Sequence, residues 1–206
     1  MTLRATNARH WIGPGTSRAA KTIGPLSALL LSAALALADA AAVPASLQAK
    51  LTGKLALFDR AFAARAGERA RVLVVTRPGD ASSTRFADEL VGALKQVDAI
   101  GGLPHDETTT AYVGAEALAV TVKAQHPAIV YLSSGLANEA QAIGAALTGA
   151  DVLTISAEPE AVARGVVAGF DLVSNQPKIV LNLKQAAIQN VQLTGTVLKL
   201  AIVIGG

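Results

Sequence analysis

The sequence predicts an α/β fold: a three-layer sandwich, mainly a parallel sheet flanked by helices, with a C-terminal β-hairpin. Three observations carry this reading. Residues 71–76 (RVLVVT), 128–132 (AIVYL) and 151–156 (DVLTIS) are short apolar runs with little alternation, as strands buried on both faces require. Helical stretches separate them, and strand–helix alternation argues parallel pairing with helices on both faces. Near the end, two strand-like runs flank Ser174-Asn175-Gln176-Pro177, a hairpin signal.

Taken in order, residues 45–66 place Leu47, Leu51, Leu55, Leu57, Phe58 and Phe62 in a helical period between Lys and Arg, which predicts one amphipathic helix. The run 71–76 is the first strand, and Arg77-Pro78-Gly79-Asp80 ends it as a turn. Ser82 or Ser83 is placed to cap a helix reaching about Gln96. Residues 99–104 read as a short strand or a loop. Residues 108–113 alternate as a strand, and 116–124 form a helix. The run 128–132 is a buried strand, followed by Ser133-Ser134-Gly135. Residues 138–147 form a helix, 151–156 a third buried strand, and 159–164 a short helix. Strands at 166–173 and 178–183 make the hairpin, and 184–189 and 193–203 read as closing helices.

The first 42 residues read differently. Arg4, Arg9, Arg18 and Lys21 precede the apolar run PLSALLLSAALAL, and small-residue steps follow it. This is the pattern of a cleaved secretory signal peptide, and the run falls short of the roughly 20 apolar residues of a membrane span. Export to the periplasm is the expected outcome. The residues Gly15 to Thr22 mimic a phosphate loop, but Ala20 stands where the second glycine belongs and no strand precedes them.

Composition excludes several functions. The chain has 206 residues, 18 Lys+Arg, 15 Asp+Glu and no cysteine. Without cysteine there is no disulfide framework, thiol nucleophile or lipid-anchored cysteine. The basic excess sits in the leader: from Ala41 onward 14 basic residues balance 14 acidic ones, leaving no footprint for nucleic acid. No G-x-S-x-G elbow appears. His105 adjoins Asp106 and Glu107, but three consecutive side chains cannot converge on one ion; it reads as part of a solvated loop. His126 reads as a cation at a helix C-terminus, and Glu158 and Glu160 as carboxylates favouring a helix start. The pattern calls for no cofactor and no metal. The candidate ligand-binding residues are Arg77, Ser133 and Ser134, which follow buried strands where open parallel sheets bind ligands. Ordinary turn roles compete at each: a salt bridge to Asp80 for Arg77, a plain turn for the serines.

The C-terminal half carries a further pattern. Val152-Leu153-Thr154-Ile155-Ser156 is followed by a short acidic helix and Arg164-Gly165-Val166-Val167. Then come Pro177-Lys178-Ile179-Val180-Leu181-Asn182-Leu183-Lys184-Gln185-Ala186-Ala187 and Val191-Gln192-Leu193-Thr194-Gly195-Thr196-Val197-Leu198-Lys199-Leu200-Ala201. This order resembles the YfiR/HmsC family over about residues 127–203, which makes 43–206 a single YfiR-like α/β domain. The resemblance implies a non-enzymatic periplasmic regulator that represses an inner-membrane diguanylate cyclase by binding its periplasmic sensor domain, so lowering cyclic di-GMP and biofilm formation. It also implies a homodimer. The family's redox-linked cysteines have no counterpart here, so redox control does not carry over, and the first helix lacks the family's aromatic run. The alternative reading is a small periplasmic solute-binding module serving a sensor kinase or transporter, with Arg77, Ser133 and Ser134 at its site.

Overall fold

A computed structural model describes residues 42–205. The predicted leader, but for its last residue, and the phosphate-loop mimic within it lie outside the described residues. Seven strands form one sheet in the order β2-β1-β3-β4-β5-β6-β7. The strands are β1 (Ala70–Thr76), β2 (His105–Ala111), β3 (Ile129–Leu132), β4 (Leu153–Ser156), β5 (Ala168–Val173), β6 (Gln176–Asn182) and β7 (Ile202–Ile204). The first five run parallel; β6 turns back against β5, and β7 lies parallel to β6. The helices are α1 (Ala45–Leu57), α2 (Phe62–Ala66), α3 (Ala81–Leu94), α4 (Ala115–Gln125), α5 (Ala140–Ala146), α6 (Leu183–Ile188) and α7 (Gly195–Leu198), with 3₁₀ turns at Ala137–Glu139 and Pro159–Arg164.

Side-chain alternation along the buried strands sorts the core into two layers. Val72, Val74, Ile129, Tyr131, Leu153 and Ile155 face α1 and α3, joined by Leu55, Leu90 and Leu94. Leu73, Val75, Val130 and Leu132 face the other way, onto Leu118 and Val122 of α4 and Ile143 of α5. Each fully buried aliphatic side chain stabilises the fold by about 1.5–3 kcal/mol relative to exposure. Among the described residues no helix is long and apolar enough to cross a membrane.

Three elements depart from expectation. The helix predicted over 45–66 breaks after Leu57. Asp59 forms an isolated bridge with Leu193, and its Oδ1 accepts from the backbone amides of Ala61 (3.1 Å) and Gln192 (2.9 Å). Phe62 begins the separate helix α2, and Phe58 and Asp59 become a docking point for the chain's last quarter. The closing helix predicted over 193–203 shrinks to α7. Ile202-Val203-Ile204 instead extend the sheet beside Val180, Leu181 and Asn182 of β6, where β-branched side chains fit a pleated surface. The hairpin turn is tighter than expected. Ser174 and Asn175 both take positive φ (50° and 62°), as a two-residue primed turn needs, and Gln176 and Pro177 already belong to β6. Pro177 is tolerated because β7 reaches only Val180–Asn182, so the missing N–H faces no partner strand.

Candidate functional site

The chain leaves β1 through α3 to β2 on one side, then returns through α4 to β3 on the other. The C-terminal ends of β1 and β3 therefore flank a topological switch point, where sheets of this kind open a crevice. Arg77 and Asp80 follow β1. Ser133, Ser134 and Gly135 follow β3. Glu158 follows β4 and joins them.

These loops are tied to one another. Asp80, rather than Ser82 or Ser83, caps α3: its Oδ1 accepts from the amides of Ser82 (2.9 Å) and Ser83 (3.1 Å) and from Ser82 Oγ (2.7 Å). The Ser82 hydroxyl and the Ser83 amide, with the charge of Arg77 nearby, hold the Asp80 carboxyl below its ordinary value. That arrangement frees Ser83 to turn inward. Its Oγ accepts from the Arg77 amide (2.8 Å) and shares a hydrogen bond with Ser133 Oγ (2.5 Å). Ser133 is fully buried, so its hydroxyl joins β1 to β3.

Arg77 forms no salt bridge with Asp80. Its Nη1 donates to the carbonyl oxygen of Gly135 (2.5 Å). Gly135 has a φ of 83°, and a Cβ there would stand 2.7 Å from Asp80 Oδ2 and 3.1 Å from Arg77 Cδ. Glycine is thus required both by backbone and by space. Its amide donates to Glu158 Oε1 (2.8 Å), and the Ala137 amide donates to Glu158 Oε2 (2.9 Å). Sequence reasoning placed Glu158 at a helix start as a dipole carboxylate. It stands at the start of the 3₁₀ turn Pro159–Arg164 but reaches across to clamp the loop after β3. The carboxylate held by the backbone amides of that loop is the chain's own.

A groove of about 210 Å³ remains outside this lattice, bordered by Arg77, Gly135, Asn138, Glu158, Glu160 and Arg164. The structure thus brings Arg77 to the groove wall and sets Ser133 inside the protein; Ser134 sits half-buried on the same loop.

The remaining titratable candidates lie elsewhere. His105 opens β2 rather than sitting in a solvated loop, because β2 pairs with β1 from Ala70 onward. Its ring is almost buried, with Nδ1 2.5 Å from Glu107 Oε1 and Nε2 2.7 Å from the Val97 carbonyl oxygen. His126 is the left-handed C-cap of α4 (φ 48°). It borders a cleft of about 410 Å³ at the opposite end of the sheet, with Lys123, Val122, Pro127 and Leu147. On the α1 face, burial pushes the Tyr131 hydroxyl well above its ordinary range, so it stays protonated and donates to Gln48 Oε1.

A doubly wound, mostly parallel sheet with its switch point at the β1 and β3 loops and helices on both faces defines an α/β sandwich domain. Solved structures agree on that fold. An ABC domain from Streptococcus pneumonia, solved in complex with L-Trp, aligns with a TM-score of 0.56 at 15% identity over 78% of this chain and 62% of its own. A conserved domain protein from Vibrio cholerae O1 biovar El Tor aligns with a TM-score of 0.53 at 14% identity over 78% and 60%. The chain spans about three fifths of the length of these two proteins. No curated protein matches its sequence. The family is clear: residues 46–202 match the YfiR/HmsC-like family model, and the chain belongs to that family. It is a family of periplasmic regulatory proteins rather than catalysts.

Proposed function

We propose that this protein is an exported, non-enzymatic regulator that binds the periplasmic sensor domain of an inner-membrane diguanylate cyclase and holds the cyclase inactive, keeping cyclic di-GMP and biofilm formation low. In this reading residues 1–42 are a signal peptide removed on export, and the domain acts as a homodimer. The observation that carries the reading is the family match over residues 46–202. The switch point is consistent with it: Ser133, the Gly135 amide and the Ala137 amide all have partners within the chain. Cellular cyclic di-GMP in a clean deletion tests it, with complementation by exported and leaderless copies. The expected result is a rise that only the exported copy reverses. No change in the deletion would overturn the cyclase reading.

A second reading, a small solute-binding module serving a sensor kinase or transporter, draws on the fold shared with the L-Trp-bound Streptococcus domain. Its ligand would sit on Arg77 and Ser134, with Ser133 fixing the loop behind them. Under that reading Arg77→Ala abolishes ligand-induced thermal stabilisation, whereas a protein-binding surface elsewhere tolerates the change.

A further inference from the structure

Beside the switch point lies a second groove, of about 420 Å³, between α5, the end of the 3₁₀ turn Pro159–Arg164 and the start of α6. Gln141, Thr148, Arg164, Asn182, Lys184 and Gln185 contribute its polar lining, and among the described residues no carboxylate side chain borders it. That absence stands out in a body whose acidic and basic residues are equal in number. The floor is fixed by a close backbone approach: a Cβ on Gly144 would lie 2.4 Å from the Gly165 carbonyl oxygen, so no larger side chain fills the space there.

The amide side chains of Gln185 and Asn182 are spent on holding the walls. Gln185 Nε2 donates to the Gly144 carbonyl oxygen (3.2 Å), joining α6 to α5. Asn182 donates to the Val162 carbonyl oxygen (2.9 Å) and accepts from the Gln185 amide (3.0 Å). The cations are not spent. Among the described residues the Arg164 side chain makes one hydrogen bond, from Nη1 to Asn138 Oδ1 (2.6 Å), with further donors in its fork. Among the described residues neither Arg164 nor Lys184 enters a salt bridge. Glu158, which borders Arg164 in the neighbouring groove, is committed to the Gly135 and Ala137 amides. Glu160 borders that neighbouring groove and not this one.

Two cations that enter no salt bridge among the described residues border one groove beside neutral polar side chains, a setting that suits an anion carrying two charged groups or one doubly charged group. The planar guanidinium takes a carboxylate or phosphate in two parallel bonds, and the ammonium adds a point charge. The volume falls within the roughly 300–1,000 Å³ of small-molecule sites, larger than an inorganic ion needs. We propose that this groove is a binding site for a small organic dianion, a phosphate monoester or a dicarboxylate, held by Arg164 and Lys184.

Amide-resolved NMR on the purified full chain tests this, titrating glycerol 3-phosphate and, separately, succinate at constant ionic strength. The expected result is saturable shifts at the amides of Gly144, Gly165 and Lys184 with at least one of the two, and the one that binds identifies the charged group preferred. Arg164→Gln and Lys184→Gln should each weaken binding roughly tenfold or more, the loss of one charged contact. Lys123→Gln, on the far cleft, should leave affinity unchanged. Arg164 and Lys184 are exposed, so an unchanged Tm separates lost binding from lost fold. The proposal is overturned if neither dianion saturates, if sodium chloride reproduces the shifts, or if binding survives both substitutions. The readout is on purified protein, so it stands apart from the cyclase reading.

Discussion

Replacing Arg65 by methionine should destabilise the domain by about 3 kcal/mol. The Arg65 side chain is 2% exposed and that of Asp59 is 0% exposed, with Nη1 to Oδ2 at 2.6 Å. The guanidinium also donates from Nε to Asp151 Oδ1 (2.9 Å) and from Nη2 to the Asn190 carbonyl oxygen (3.2 Å). One side chain therefore joins the break between α1 and α2 to the start of β4 and to the segment after α6. Breaking a buried pair by removing one partner costs about 3–5 kcal/mol, because the remaining charge is left uncompensated. Asp59 Oδ1 keeps its two amide donors, so the lower end, about 3 kcal/mol, is expected for Arg65→Met. The limb to Asp151 adds little: that carboxylate is 59% exposed, and exposed pairs contribute about 0.2–1 kcal/mol. Urea unfolding of the wild type, Arg65→Met, Asp59→Ala, the double variant and Asp151→Ala measures all of these. For a domain of this size the loss corresponds to a Tm drop of very roughly 6–12 °C. The double variant should cost less than the sum of the singles by about 1 kcal/mol or more, since the two residues touch. The reasoning is refuted if Arg65→Met costs under about 1 kcal/mol, or if the two single losses simply add.

Glu158→Ala should cost about 2–4 kcal/mol, since it removes two hydrogen bonds made by a charged acceptor and leaves the Gly135 and Ala137 amides bare; those two amides should also exchange hydrogen faster by NMR. The Asp80 carboxyl titrates below its ordinary value in the folded state, so its contribution is present above the unfolded carboxyl value and lost as pH falls through the folded one. Stability measured against pH for wild type and Asp80→Ala should therefore diverge near neutrality and converge in acid; a gap that persists at the lowest pH would contradict the assignment. Gly144→Ala should destabilise by about 1–3 kcal/mol, because its Cβ meets the Gly165 carbonyl and backbone cannot give way cheaply. Gly92→Ala, inside α3 with nothing within 4 Å of the new Cβ, should instead stabilise by about 0.4–1 kcal/mol. Thermal melts of the two glycine variants side by side check both signs.

What could be read from the chain and what could not divides along the distance over which the cause acts. The strands β1, β3 and β4 are legible because burial on both faces forces continuous apolar runs such as Val72–Val75. The order of elements, and the switch of direction it implies, follows from alternation. The break at Asp59 is not legible: its carboxylate finds the Gln192 amide 133 residues away, and Leu51, Leu55, Phe58 and Phe62 keep helical spacing across it. The strand β7 is three residues long and exists only because β6 offers an edge, so residues 193–203, read alone, look helical. At the site, Arg77 and the serines were recognisable by position after buried strands. That Ser133 points inward was not, because its partner is Ser83, 50 residues earlier. Glu158 is legible as a structural carboxylate at a helix start, but its partners, the Gly135 and Ala137 amides, are not. Its signal is a carboxylate just after a buried strand that neighbours the Gly135 loop, visible only once β3 and β4 are known to pair.

The arrangement of that clamp bears on what the switch point of this sheet can bind. A crevice at a switch point takes a ligand when its backbone donors are free. Here the Gly135 and Ala137 amides hold a carboxylate that belongs to the same chain, tethered at high effective concentration, and a free carboxylate must displace it before it gains those two bonds. The loops after β1, β3 and β4 are thereby locked into one rigid surface by Arg77, Ser83, Ser133 and Glu158. Rigidity of that kind favours a surface that presents itself to another protein, because little order has to be lost on docking. Positive charge lies one groove away, at Arg164 and Lys184, where among the described residues no carboxylate side chain borders the groove. Arg164 borders both grooves, so an anion held beside Lys184 would draw its guanidinium away from Asn138 and from the acidic side of the neighbouring groove. If the dianion site binds as proposed, the first place to look for its effect is therefore the Glu158 clamp: the Gly135 and Ala137 amides should shift on titration in wild type and stay still in Arg164→Gln.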